Sequence, residues 1–285
     1  MLSRREFALL AAAAGLGAAA PLGSLAWPVI VAEGGSAEKR IEDTRPALDL
    51  AIDQGCDFIQ CAFTPSRDGT LVARRDNELS LSTDVAAHPA FADRKTTKSF
   101  GGHKVTGWFA EDFTVAELKT LACREALPQV RPQNVKYDGK DPILTLAEVL
   151  AVARQGCVRT ARTVGVCARL TRVKHFETMG MDVVGRLAGE LRFEGYVSSA
   201  AAIWVEAFEP DALKALARQS PVRRIQLLDA DAGPDQPFAR MTTPDGLAEV
   251  KTYAQAIGPS QDLLIDPAAA VFPAPTTLAL DAHNA

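Results

Sequence analysis

Histidine is scarce in this 285-residue chain, which holds only His88, His103, His175 and His283. Few places are therefore left for chemistry that needs an imidazole near neutral pH. Cysteine numbers five, an odd and sparse count that excludes a disulfide framework as the main source of stability. Basic stripes are absent and the formal charge is −4, which argues against a nucleic-acid scaffold. Beyond the N-terminus no apolar run reaches the roughly 18 residues of a membrane-spanning helix. What is present is a globular composition. With 47% apolar and 23% charged residues, the chain can bury a full core.

Residues 1–26 read as a secretory signal. Arg4-Arg5-Glu6-Phe7 opens it, an Ala-rich apolar run follows to Ala20, and Ser24-Leu25-Ala26 offers small residues to a signal peptidase. The paired arginines before Phe7, Leu9 and Leu10 resemble a twin-arginine signal, so the expected location is periplasmic or extracellular. A protein exported already folded would fold with Cys56, Cys61, Cys123, Cys157 and Cys167 reduced, and their apolar neighbours suit buried thiols.

From residue 27 to 285 short apolar runs alternate with amphipathic stretches. Strands are expected at 28–32, 57–63, 71–74, 164–168, 202–207, 224–228 and 256–257. Helices are expected at 42–55, 144–154, 181–191, 211–218, 246–255 and 276–283. Between them, residues 77–141 form a long insertion rich in charge, Gly and Pro, with one helix near 115–122; loop-like stretches of that length usually serve a function such as a lid. The alternation points to one α/β domain, most simply a (β/α)₈ barrel. A doubly wound sheet is the alternative, disfavoured because no Gly-rich phosphate loop follows the first strand. Seven strands are counted where a closed barrel needs eight, which predicts two open sheet edges and self-association through them.

Several stretches resemble the glycerophosphodiester phosphodiesterase family in its exported bacterial form. They include Val29-Ile30-Val31-Ala32-Glu33-Gly34-Gly35-Ser36, Asp68-Gly69-Thr70-Leu71-Val72-Ala73-Arg74-Arg75-Asp76-Asn77, Val105-Thr106-Gly107-Trp108-Phe109-Ala110-Glu111-Asp112 and Phe208-Glu209-Pro210. Their order and spacing, rather than any one of them, carry the resemblance, which covers nearly everything after the signal. It implies a (β/α)₈ barrel that hydrolyses glycerophosphodiesters with a divalent cation such as Ca²⁺ or Mg²⁺, two histidines and an arginine. It also implies an eighth strand after the helix ending Ala282-His283, where this chain stops.

The family's site residues are replaced. Its His-Arg-Gly stands here as Ala32-Glu33-Gly34, its Glu-x-Asp as Gln60-Cys61-Ala62, and its His-Asp as Arg75-Asp76. Its Glu-x-Lys falls on Arg169-Leu170-Thr171, or on Arg172 and Lys174 with a shift of three; only Gly34, Asp76 and Glu42 persist. Ala32 cannot exchange protons, and Arg75 is permanently charged and cannot act as a base. Gln60, Ala62 and Arg169 cannot make an anionic cage for a divalent ion. The expectation is a member with no catalytic residues, no metal ligands and no cofactor. Because the family's Arg and Glu are exchanged for Glu33 and Arg169, Glu33 is expected to pair with Arg75 or Arg169 across the barrel mouth.

Two alternatives stay open. Arg75 and Arg169 could grip a small phosphate-bearing ligand without cleaving it. Or Glu33, Glu206 and Asp229, all near strand ends, could rebuild a carboxylate metal site; they serve equally as counter-charges for the arginines. His175 reads as a solvated loop histidine beside Lys174.

Overall fold

A computed structural model describes residues 28–100, 102–230, 238–266 and 274–285. The secretory signal expected at 1–26 lies outside the described residues. Nine strands of three or more residues occur among the described residues: Val31–Glu33 (β1), Phe58–Pro65 (β2), Leu71–Ala73 (β3), Thr96–Phe100 (β4), His103–Gly107 (β5), Gly165–Leu170 (β6), Ile203–Ala207 (β7), Arg223–Leu228 (β8) and Ala256–Pro259 (β9). Six of them run parallel in the order β1-β2-β6-β7-β8-β9. Neighbours in space follow the order of the chain, as in a β/α barrel. A doubly wound sheet would reverse direction at its middle, so that alternative falls.

Parallel strands covered on both faces should read as unbroken apolar runs. β2 is buried at all eight positions. The helix Arg45–Asp53 buries Ala47, Leu48, Ala51 and Ile52, the face that the 3.6-residue period selects. It packs on the helix Leu146–Thr160, which a capping box of Thr145 and Glu148 opens. That helix runs six residues past the expected end at 154. Gly156 breaks the apolar period, yet it belongs inside the helix: a Cβ there would lie 2.8 Å from the Ile52 side chain. The close approach of the two helices requires the glycine.

The expected third strand is corrected. β3 is no barrel stave but runs antiparallel to the end of β2, pairing Phe63 with Ala73 and Pro65 with Leu71. The connection Ser66–Thr70 is a tight turn with Gly69 at φ 80°. So few residues can only reverse the chain, whereas a parallel crossover needs about a dozen or more. Among the described residues β1 and β9 do not pair with each other, so the curled sheet is an open arc.

The insertion is corrected too. Rather than a long loop, residues 77–141 form short 3₁₀ turns, the β4–β5 hairpin and a second hydrophobic cluster. Leu79, Val85, Phe91, Trp108, Phe113, Leu118 and Leu121 make that cluster with Ile41, Val72 and Ile143 from its flanks. The Trp108 indole N–H donates to the Phe91 carbonyl at 2.6 Å, which satisfies its one polar atom inside the cluster. The expected helix at 115–122 shortens to Val115–Leu118, started by a second capping box of Thr114 and Glu117. No described helix is long and apolar enough to cross a membrane.

Candidate functional site

Strand register places the side chains of the barrel mouth in two rows. Glu33 of β1 is level with Gln60 of β2, which is level with Cys167 of β6. One step nearer the C-terminal ends, Ala62, Arg169 and Glu206 of β7 form the second row. Because side chains alternate along a strand, residues two apart share a face, and both rows face the barrel interior.

Arg169 binds the two rows together. Its Nε donates to Glu206 Oε1 at 2.6 Å and its Nη1 to Glu33 Oε1 at 2.9 Å. Arg75 Nη2 donates to the same Glu33 oxygen at 2.9 Å. Glu33 thus pairs with both arginines named as its candidate partners. Burial would lower the pKa of Arg169, but the charges of Glu206 and then Glu33 outweigh it and raise the value.

Glu206 is held from three sides. Besides Arg169, its Oε1 accepts from Gln60 Nε2 at 3.1 Å and its Oε2 from the Cys167 thiol at 3.1 Å. Burial and the adjacent Glu206 push the Cys167 thiol well above its usual range, so the sulfur keeps its proton and donates. All five cysteines are free and four are buried, as their apolar neighbours suggest. A second carboxylate at position 60 would face Glu206 directly; the neutral amide donates instead.

These residues do not fit a divalent metal. The guanidinium occupies the space between the two carboxylates, and the neighbouring Gln60 and Ala62 bring no negative charge. The rebuilt site from Glu33, Glu206 and Asp229 is not assembled: among the described residues no three His, Cys, Asp or Glu side chains are arranged to hold a metal ion. Asp229 instead lines a separate cleft of about 650 Å³ with Lys174, Phe208 and Phe238.

Arg75 and Arg169, the two arginines of the expected anion grip, both bond Glu33. Arg75 lines a cleft of about 380 Å³ at the mouth, and the other arginine reaching that cleft from beyond β6 is Arg172. Arg172 pairs with Asp76 at 2.9 Å and lies over the Phe100 ring at 4.9 Å. His175 is half-buried and lies in a helix rather than a loop. It sits in the helix Val173–Thr178, packed between Phe100 at 4.7 Å and Phe176 at 5.2 Å, with Nε2 3.6 Å from Glu111. The insertion hairpin therefore reaches the segment that follows β6.

A second network, which motif reading missed, lies below the cleft. Arg74 is 2% exposed, and its Nη2 donates to the Cys123 sulfur at 2.7 Å. Asp43, 4% exposed, has its pKa raised to about 6, first by burial, against the opposing charge of Arg74. Asp43 also has φ 58°, a conformation that Asp and Asn tolerate better than other side chains. Its signal was faint: an Asp between Glu42 and Thr44 reads as an ordinary helix start.

The comparison with known families decides what this barrel is. Residues 34–274 match the Glycerophosphoryl diester phosphodiesterase family. The chain belongs to that family. A glycerophosphodiester phosphodiesterase of Arabidopsis thaliana is 30% identical over 273 residues, covering 90% of this chain and 72% of that protein. One from Treponema pallidum is 24% identical, covering 88% of this chain and 76% of its own. Among solved structures, a glycerophosphoryl diester phosphodiesterase assigned in Silicibacter pomeroyi superposes with a TM-score of 0.60 at 17% identity, covering 81% and 74% of the two chains. An Oleispira antarctica phosphodiesterase in complex with sn-glycerol-3-phosphate gives 0.53 at 18% identity, covering 90% and 89%. The fold is thus that of the phosphodiesterase barrel, with its sheet an open arc among the described residues.

The buried carboxyl of Asp43 generates a pH prediction. Folded, it keeps its proton to about pH 6, whereas an unfolded Asp releases its proton near pH 3.9. Across that window the folded state binds more protons, so stability falls as pH rises. Asp43→Asn removes the group. The stability of the variant relative to wild type should climb by about 3 kcal/mol between pH 4 and pH 7 and then level off. Urea unfolding at unit pH steps reads the difference; a flat difference would refute the assignment.

Proposed function

We propose that this protein is an exported glycerophosphodiester phosphodiesterase-family member that does not hydrolyse phosphodiesters. The observation that carries the reading is the Arg169 guanidinium, 2.9 Å from Glu33 and 2.6 Å from Glu206. The family reaction needs a divalent cation and two imidazoles at the mouth; here a fixed side-chain cation takes the carboxylates, and Ala32 and Arg75 stand at the histidine positions. Loss of single members of a catalytic set commonly costs about 10⁴–10⁶ in rate, and these replacements cover nearly the whole set.

The test is direct. Purified protein, incubated with glycerophosphocholine and millimolar Mg²⁺ or Ca²⁺, should release no glycerol 3-phosphate above the blank. EDTA-sensitive release that survives repurification would sink the proposal.

One observation favours a binding role. Arg75 and Arg172 line the same cleft, and each makes a single bond to one carboxylate oxygen, which leaves guanidinium N–H groups for a phosphate. The Oleispira antarctica relative holds sn-glycerol-3-phosphate. Titration of glycerol 3-phosphate should give measurable heat, and Arg75→Ala should weaken binding roughly tenfold. No heat at millimolar ligand would leave the non-hydrolytic reading standing without a ligand.

Export is proposed from Arg4-Arg5 and the apolar run that follows. Lysine at both positions should retain the chain in the cytoplasm of a bacterial host with a twin-arginine exporter. Equal periplasmic yields of both forms would count against that route.

A further inference from the structure

Two carboxylates meet one guanidinium at the barrel mouth, Glu33 from β1 and Glu206 from β7 on Arg169 of β6, and Gln60 of β2 bonds the second of them. The Glu206 side chain is 7% exposed and Arg169, between the two carboxylates, 19%. Gln60 is 2% exposed. Its amide N–H donates to Glu206, while its carbonyl oxygen is buried with no hydrogen-bond partner among the described residues. An unpaired buried acceptor is costly and calls for an explanation.

Carboxylate oxygens gathered around one positive charge are the environment that hard divalent cations seek. In this chain the positive charge is part of the chain itself. We propose that the Arg169 guanidinium is the resident cation of the barrel mouth. It neutralises Glu33 and Glu206 and so ties β1 and β7 to β6. With it in place the protein neither needs nor admits a divalent ion there. Its removal, with Glu33, Glu206 and Gln60 left standing, opens a site for an oxygen-seeking cation such as Ca²⁺ or Mg²⁺. The proposal extends the non-hydrolytic reading, because both require that the native mouth hold no metal of its own.

The physical basis is the asymmetry of buried charges. A carboxylate as enclosed as Glu206 is tolerated because a cation touches it; without that cation it must protonate, hydrate or recruit another. Ala at position 169 removes both charge and volume, so ion and water can enter. Lys removes neither the charge nor all of the volume and should leave the site closed.

Thermal melting of wild type, Arg169→Ala, Arg169→Lys and the double variant Arg169→Ala/Glu206→Gln, each with EDTA or with 10 mM CaCl₂ at about matched ionic strength, reads the outcome. Wild type and Arg169→Lys should melt at the same temperature in both buffers. Arg169→Ala should melt roughly 10 °C below wild type in EDTA and recover roughly 5 °C with Ca²⁺. The double variant should lose that recovery. If Arg169→Ala does not fold in EDTA, its soluble yield on refolding with Ca²⁺ takes the place of melting, and failure in both buffers overturns the proposal. An Arg169→Ala protein indifferent to Ca²⁺, beside an equally indifferent wild type, overturns the resident cation but not the non-hydrolytic reading. Stabilisation of wild type by Ca²⁺ overturns both.

Discussion

The contact between Arg169 and Glu206 is the constraint on which the rest of the mouth depends. Glu206 is enclosed by β2, β6 and β8, and a carboxylate so placed must find donors and a counter-charge. It finds the guanidinium at 2.6 Å, the Gln60 amide at 3.1 Å and the Cys167 thiol at 3.1 Å. Each partner is explained by Glu206. A carboxylate at position 60 would repel it, and a thiolate at 167 would do the same. Glu33 then takes the outer side of the guanidinium and Arg75 the outer side of Glu33. Glu33, Gln60, Arg75, Cys167, Arg169 and Glu206 are therefore one interlocking set. Their energies differ. The Glu33–Arg75 pair is about half exposed and, like most surface pairs, contributes at most about 1 kcal/mol. The Arg169–Glu206 pair is largely enclosed, with Glu206 buried and Arg169 part-buried, and removal of one partner costs several-fold more.

How far this was legible in the sequence depends on the distance over which the signal acts. β2 and the helix Arg45–Asp53 were legible because their burial follows from local period alone. The pairing of Glu33 was legible because the exchange of Arg for Glu at one motif and Glu for Arg at another leaves opposite charges facing each other. The direction of β3 could be read from the brevity of its connection to β2, a constraint that a strand count overlooks. The true end of the helix Leu146–Thr160 could not, because only the proximity of Ile52 explains a glycine at 156. The insertion was least legible. Its cluster draws Ile41, Val72 and Ile143 from outside it onto Trp108 and Phe113, and no window of sequence contains them together.

The buried pair of charges beneath the cleft belongs to the same long-range category. Arg74 follows β3 directly and Asp43 precedes the first helix, and the second hydrophobic cluster closes over the region between them. Arg74 has a fully buried side chain whose Nε lacks a partner, and its Nη2 leans on the Cys123 sulfur from the insertion. That contact ties the insertion to the barrel through a cation, as Arg169 ties the strands. The packing of Phe100 on His175 makes a second tie, to the segment after β6. The insertion is thus anchored at both sides of the mouth.

The mouth network also bears on the openness of the sheet. β1 has three residues and, among the described residues, one strand neighbour; its own Val31 and the preceding Ile30 are about half exposed. Short edge strands held only by backbone bonds are the first to fray. β1 carries Glu33, however, and Glu33 is joined across β2 to Arg169 of β6, so β1 is fixed by a side-chain bridge as well as by its ladder. In a closed barrel the second neighbour would supply that restraint. In this open arc the bridge of Glu33 to Arg169 supplies part of it, so the charged mouth also holds the edge of the sheet in place.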